Sequence, residues 1–341
     1  MAVEIRAEPS ADWNSFVEGR EDASLYHRSE WVKFISRAFG QQAWFIEARD
    51  GQELTGVLPL VLQRGPLLGS FMTSLPYFNY GGALARADGV ALAMMGEARK
   101  LAQQQRCRYL ELRDTRPRGG DWTLRTDKVS MVLDLPADVA SLSTALGAKL
   151  RSQARRPDRE GAEVSVGGAD AVDAFYDVFC RNMHSLGTPV YPRHFFHALM
   201  DAFPHNAVVV QVRHAGQPQA AGFLVINGRT AEIPWAACRD DAKPRGYNMK
   251  LYWACLVHAI ERGCTRFDFG RSTVDSGTYR FKAQWGARPV QLYWHRWDAD
   301  RAADDSDGSS RMRARVARLW QMLPLPVANL LGPLVSPRLP W

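Results

Sequence analysis

The strongest constraint on this chain is that it repeats itself. An order of elements in the first half recurs roughly 160 residues later, and a recurring order confines the fold to two copies of one unit. In the first copy Trp31, Phe34, Ile35 and Phe39 form a helical stripe, followed by strands over 43–48 and 54–62 around a turn at Asp50 and Gly51. In the second, Phe195, Ala198, Leu199 and Phe203 form the stripe, and strands over 207–213 and 220–226 flank a turn at Ala215 and Gly216. The correspondence continues: a helix marked by Leu92, Met95, Ala98 and Ala102 leads through Cys107 into a strand at 109–112. Its counterpart sets Met249, Tyr252, Trp253, Leu256 and Ile260 at helical spacing and leads through Cys264 into Phe267, Asp268 and Phe269. Both halves run helix, hairpin, helix, strand. That is an α/β (α+β) order with mixed, partly antiparallel sheets flanked by helices.

A chain of 341 residues exceeds one average core, so two domains are expected, 1–145 and 146–299. A linker rich in Asp, Ser, Ala and Gly follows at 300–310, then a basic, proline-rich tail at 311–341. Between the copies, 142–156 reads as a helix ending in Lys149, Arg151, Arg155 and Arg156 and stopped by Pro157; the basic cluster is either a solvated face or an anion contact. The first residues carry Glu4, Arg6, Glu8 and Asp12 and no apolar run, and no stretch is apolar for about 20 residues. A cytoplasmic protein is therefore expected, with the tail as the one segment that could bring it to the inner membrane face. Five scattered cysteines without a paired motif argue against a disulfide framework and a zinc site. The net charge of +7 favours an anionic partner.

The most informative local pattern runs from Gly270, Arg271 and Ser272 through Gly277, Thr278, Tyr279, Arg280, Phe281, Lys282, Ala283, Gln284, Trp285 and Gly286. A lysine between Phe281 and Trp285 admits two readings. Desolvated in a cleft, its cation would hold a carbonyl developing into an oxyanion; alternatively its stem crosses the rings and its head stays in water. Two loop-like segments present aromatic faces with polar tips: Tyr77, Asn79 and Tyr80 in one, Tyr191 and Arg193 in the other. Each is a binding loop or a packed aromatic corner. Lys243, Arg245 and Gly246 precede a helix whose start, with Tyr247 and Asn248, could take a phosphate or carboxylate. His194 and His197 lack a third ligand, so no metal site is expected, and Ser185 beside His184 lacks a nucleophile elbow. In the tail, Met312, Val316, Leu319, Trp320 and Leu323 share a helical face among Arg311, Arg313, Arg315 and Arg318; this helix docks on its own protein or lies on a membrane.

The duplication, the helix entry at Gly246-Tyr247-Asn248, the strand 266–270 and the run Gly277-x-Tyr279-Arg280-Phe281-Lys282 together resemble the FemAB family. Its members are tandem GNAT-fold transferases that append amino acids to peptidoglycan precursors from aminoacyl-tRNA. The resemblance covers most of 1–300, is sharpest over 246–286, and is nearest the branch associated with exosortase and PEP-CTERM systems. It implies that Phe281 and Lys282 contact the reacting end of the donor, with the lysine stabilising charge in the transition state. Tyr77, Asn79, Tyr80, Tyr191, Arg193, Arg271 and Tyr279 are the expected substrate-binding residues, and Arg245, Gly246, Tyr247 and Asn248 the expected donor-binding residues. Two features depart from relatives: there is no long coiled-coil arm, and Arg239-Asp240-Asp241-Ala242 stands where acetyl-CoA-using GNAT enzymes carry a Gly-rich loop.

The expected reaction is amide formation on a cell-envelope or exported-polymer precursor, an acceptor amine attacking an activated carbonyl in a groove between the domains. No tightly bound cofactor is expected; the donor is aminoacyl-tRNA or acyl-CoA. Partners would be the anionic precursor, charged tRNA and, through 311–341, a membrane surface. The alternatives are an acyl-CoA-dependent N-acyltransferase and a non-catalytic glycan- or peptide-binding module.

Overall fold

The computed structural model describes residues 1–65, 69–300 and 306–339, which divide into two compact units. The first comprises Met1–Val129, Gln291–Asp305 and Pro337–Trp341; the second comprises Ser130–Val290 and Ser306–Ser336. This division falls before residue 145, and residues 291–299, which the sequence reading put in the second domain, group with the first unit.

In the first unit, β1 (Ala2–Arg6), β2 (Gln42–Asp50), β3 (Glu53–Gly65), β4 (Gly69–Thr73), β5 (Leu84–Ala85), β6 (Tyr109–Asp114) and β7 (Thr123–Arg125) belong to one sheet, accompanied by three helices, α1 (Trp13–Glu18), α2 (Ser29–Phe39) and α3 (Asp88–Gln104). Of the apolar stripe read for α2, Trp31, Phe34 and Ile35 are buried together with Val32, and Phe39 is half-buried. Gly40 ends the helix in the left-handed conformation, at φ +61°, which costs glycine no Cβ clash. Ile46, Leu58, Leu60, Met72, Leu110 and Leu112 of the sheet meet Met94, Met95 and Ala98 of α3 in one buried core.

This core holds ions as well as hydrocarbons. The Arg113 guanidinium, 2% exposed, bonds Glu111 at 3.1 Å, donates to the Leu75 and Phe78 carbonyls and lies 4.5 Å from the Trp294 ring centre. Asp114 accepts from the Ala83 amide at 3.1 Å, and a Cβ on Gly82 would stand 2.6 Å from its carboxylate. A buried charge network therefore pins the segment 75–83 from beneath, with Tyr77 itself held at φ +74°.

The second sheet contains β8 (Lys128–Asp134), β9 (Ala162–Gly167), β10 (Ala207–His214), β11 (Gln217–Asn227), β12 (Thr230–Cys238), β13 (Arg266–Thr273) and β14 (Arg288–Gln291). They lie in the order β14-β8-β13-β12-β11-β10-β9. Around them are α4 (Val139–Ala145), α5 (Ala148–Arg159), α6 (Val172–Ser185), α7 (Arg193–Ala202), α8 (Tyr247–Glu261), α9 (Gly277–Ala283), α10 (Ser306–Gln321) and α11 (Leu325–Val335). β15 (Tyr293–Asp298) then returns to the first sheet, pairing antiparallel with β6 and β7.

Two local expectations are corrected. The helix read over 142–156 is two helices, α4 and α5, broken at Leu146 and Gly147. Pro157 does not stop α5, which continues to Arg159. Proline removes one N–H, the one that would serve the Gln153 carbonyl; Gly246 packs against that carbonyl, where a Cβ would come within 2.8 Å. The linker expected over 300–310 is helical from Ser306; its residues 301–305 lie outside the described ones.

Candidate active site

The parallel pair β12 and β13 begins as a regular ladder and then stops. Thr230 pairs with Arg266, Ala231 with Phe267 and Glu232 with Asp268, and the ladder ends there. Beside the far end of β12 lies a cavity of about 220 Å³, lined by Ala236, Ala237 and Cys238, by Asn248 and Tyr252 of α8, and by Phe281 and Lys282 of α9. A pocket beyond the carboxyl end of a parallel strand is where open α/β sheets place ligands.

The short helix α9 aims Lys282. Ser276 caps it by accepting from the Tyr279 amide at 3.2 Å, fixing the first turn. Lys282 is 8% exposed, so the reading with its head in water is overturned. Its ammonium donates to the Gly270 carbonyl at 2.9 Å and to the Arg271 carbonyl at 2.8 Å. Successive carbonyls of an extended strand point to opposite sides. Gly270, at φ +75°, interrupts that alternation, so both oxygens reach one nitrogen. An ammonium has three donors; two are thereby committed, leaving one for a group in the cavity.

The charges around this nitrogen oppose one another. Burial pushes the Lys282 amine down to about 8, against the pull of Asp268 and Glu232 and with the help of Arg271. Asp268 is held by Ser130 at 2.6 Å and by the Gly270 amide at 2.7 Å. The lysine therefore remains a cation at neutral pH and becomes an amine just above it. Because its folded value lies below its unfolded one, the unfolded chain binds more protons between the two, and stability rises with pH across that window. We expect wild type to gain about 2 kcal/mol relative to Lys282→Met between roughly pH 7.5 and 9.5, read from urea unfolding of both proteins. A flat difference would place the amine in water.

The other expected site residues are distributed as follows. Phe281 is half-buried and packs edge-on against Tyr252 at 4.9 Å. Arg271 gives its carbonyl to Lys282, and Tyr279 gives its amide to the cap of α9. Asn248 lines the cavity, whereas Arg245 pairs with Glu160 at 2.8 Å and lies over the ring of Tyr247 at 5.1 Å. Tyr247 is fully buried, and Gly246 packs against α5. Tyr191 belongs to an aromatic core with Phe179, Phe195, Phe196 and Trp235, while Arg193 pairs with Asp173 at 3.0 Å. Tyr77, Asn79 and Tyr80 belong to the first unit: the Tyr77 hydroxyl donates to the Pro337 carbonyl, the Asn79 carbonyl accepts from Trp294, and Tyr80 stacks with Tyr26.

Sequence reasoning missed Asn182, which lines the cavity from α6, and the pair Glu232 and Asp268. An acid between Phe267 and Phe269 in a strand was the available signal, since a carboxylate there is buried and needs a cation. Cys238 also faces the cavity, but burial pushes its thiol up to about 12. It is a thiol at neutral pH and no nucleophile.

Residues 148–283 match the family described as Acetyltransferase (GNAT) domain. That stretch is similar to a GNAT domain, and the protein is an acyltransferase. The match runs from the first turn of α5 and ends one residue after Lys282. No curated protein is significantly similar to the chain in sequence. Among solved structures, FemX is 13% identical, with 85% of this chain and 96% of that one covered at a TM-score of 0.64. L-PGS from Bacillus licheniformis is 15% identical, with 94% and 100% covered at a TM-score of 0.54. A tandem GNAT protein from the clavulanic acid biosynthesis pathway is 12% identical, with 88% and 99% covered at a TM-score of 0.52. At such identities the likeness is one of fold, and it supports the tandem GNAT-like organisation read from the duplication. Among the described residues no cluster could hold a metal ion, and no helix is long and apolar enough to cross a membrane.

Proposed function

We propose that the protein forms an amide bond on a cell-envelope or exported-polymer precursor, using Lys282 to stabilise the oxyanion. The acceptor nitrogen adds to the activated carbonyl carbon, and the carbonyl oxygen gains the negative charge. Collapse of that intermediate expels the donor's thiol or ribose oxygen, which leaves with the proton lost by the amine. The observation carrying this reading is the buried Lys282 ammonium, two of its donors fixed on Gly270 and Arg271 and the nitrogen set beside a cavity. A donor fixed before the reaction begins does not have to reorganise as charge develops. Phe281 and Tyr252 shield that point from water. Lys243, at the same cavity, is bonded to Asp240 at 2.6 Å, and with Asn248 at the start of α8 it would meet the anionic part of the donor. The FemX fold supports an acceptor of the cell-wall kind.

Two donors fit this chemistry, an acyl-CoA and an aminoacyl-tRNA, and the GNAT domain favours the first. Thermal unfolding with each distinguishes them. A ligand at about 100 times its Kd stabilises by about 2.7 kcal/mol, a rise of roughly 5 °C or more for a unit of this size. A rise with CoA thioesters but not with charged tRNA assigns the donor to CoA, and the reverse assigns it to tRNA. No rise with either overturns acyl transfer at this cavity.

A further inference from the structure

The helical tail is built inside out. Where α10 and α11 pack on the rest of the second unit, small residues permit a close approach: a Cβ on Gly187 would be 2.5 Å from the Ala317 carbonyl oxygen, and one on Gly332 would be 2.9 Å from the Val190 amide nitrogen. Ala328 is buried. Polar bonds seal the same seam, with Gln321 donating to the Ser185 carbonyl at 2.8 Å and His184 lying 2.8 Å from the Leu323 carbonyl. The large aliphatic side chains face the other way. Met322 is 79% exposed, Leu330 72%, Leu334 59% and Leu319 58%, with Val316 and Val327 also outward. The helices thus dock on their own protein, as one sequence reading expected, and still present an apolar face. Met312, expected on that face, has a side chain outside the described residues.

Charge identifies what covers it. From Gly308 to Trp341 the sequence has five arginines and no acidic residue, and Arg315 and Arg318 are exposed beside the aliphatic row. A protein partner would be met as well by mixed charge; an unbroken positive sign around exposed leucines suits the headgroup and acyl boundary of an anionic bilayer. We propose that α10 and α11 form an interfacial anchor that lays this protein on a membrane rich in anionic phospholipid. The inference rests on the tail alone and is independent of the acyl-transfer reading.

The test is co-flotation of the full chain with vesicles of phosphatidylcholine, with and without phosphatidylglycerol. Wild type is expected to float with the phosphatidylglycerol vesicles and at least tenfold less with phosphatidylcholine alone. Leu319→Glu/Leu330→Glu and Arg315→Glu/Arg318→Glu should each lower binding at least tenfold, with thermal midpoints within about 2 °C of wild type because the changed side chains face outward. Equal flotation of wild type and variants, equal binding to both vesicles, or no binding would overturn the anchor. So would a lipid-free dimer by sedimentation that Leu319→Glu/Leu330→Glu splits, since a second copy would then cover the face.

Discussion

Replacing Lys282 by methionine is expected to lower the rate of acyl transfer at least a hundredfold while leaving the fold in place. The methionine keeps most of the buried apolar stem of the lysine, but the nitrogen bonded to Gly270 and Arg271 is lost. Removing one preorganised oxyanion donor costs about 3 kcal/mol of barrier. The loss should fall on kcat more than on KM, because the interaction is made in the transition state. Lys282→Arg should not restore the rate: a planar guanidinium cannot take the place of a compact ammonium on two carbonyls of adjacent residues. The pH profile separates two roles for the same group. A stabilising cation loses activity as pH rises through about 8, where the buried amine gives up its proton; a general base would gain activity there. We expect the fall. A rate for Lys282→Met within tenfold of wild type would sink the assignment.

The second large effect concerns stability. Glu111→Leu is expected to destabilise the first unit by about 3–5 kcal/mol, because it leaves the Arg113 cation buried without its carboxylate. Arg125, which also pairs with Glu111 at 3.0 Å, is a third exposed and loses little. The cost therefore belongs to Arg113. Arg113→Met in the Glu111→Leu background should recover part of it, since an apolar pair of similar volume carries no desolvation penalty. Urea unfolding of both single variants and the double variant measures the coupling. An unfolding midpoint for Glu111→Leu equal to that of wild type would show that the network around 75–83 contributes nothing to stability.

The features legible in the sequence are those set by near neighbours along the chain. The stripes of α2, α7 and α8, the hairpins β2–β3 and β10–β11, and the passage from Cys264 into β13 follow from apolar spacing. The run from Gly270 to Lys282 named the lysine that the fold sets beside the cavity. Its burial was not legible, because exposure is decided by what packs on α9 from elsewhere. Local pattern misled at Tyr191, an aromatic with a polar tip read as a binding residue, and at Tyr247, read as part of an anion-binding helix start; both are core. Pro157 misled because it sits in the last turn of α5, where a proline leaves only the Gln153 carbonyl without its helical partner and the helix runs on to Arg159.

By itself the sequence determined that this is a duplicated α/β chain with one cation placed after a strand and a cationic, acid-free tail. Tertiary structure alone decided which sheet β15 joins, that β12 and β13 part after Glu232 and Asp268, and which face of the tail looks outward. Spacing along a chain fixes which side chains share a face, through the pitch of a helix or the pleat of a strand. Which face meets protein, and which strand meets which, depends on contacts between residues far apart in sequence, and no local period records them.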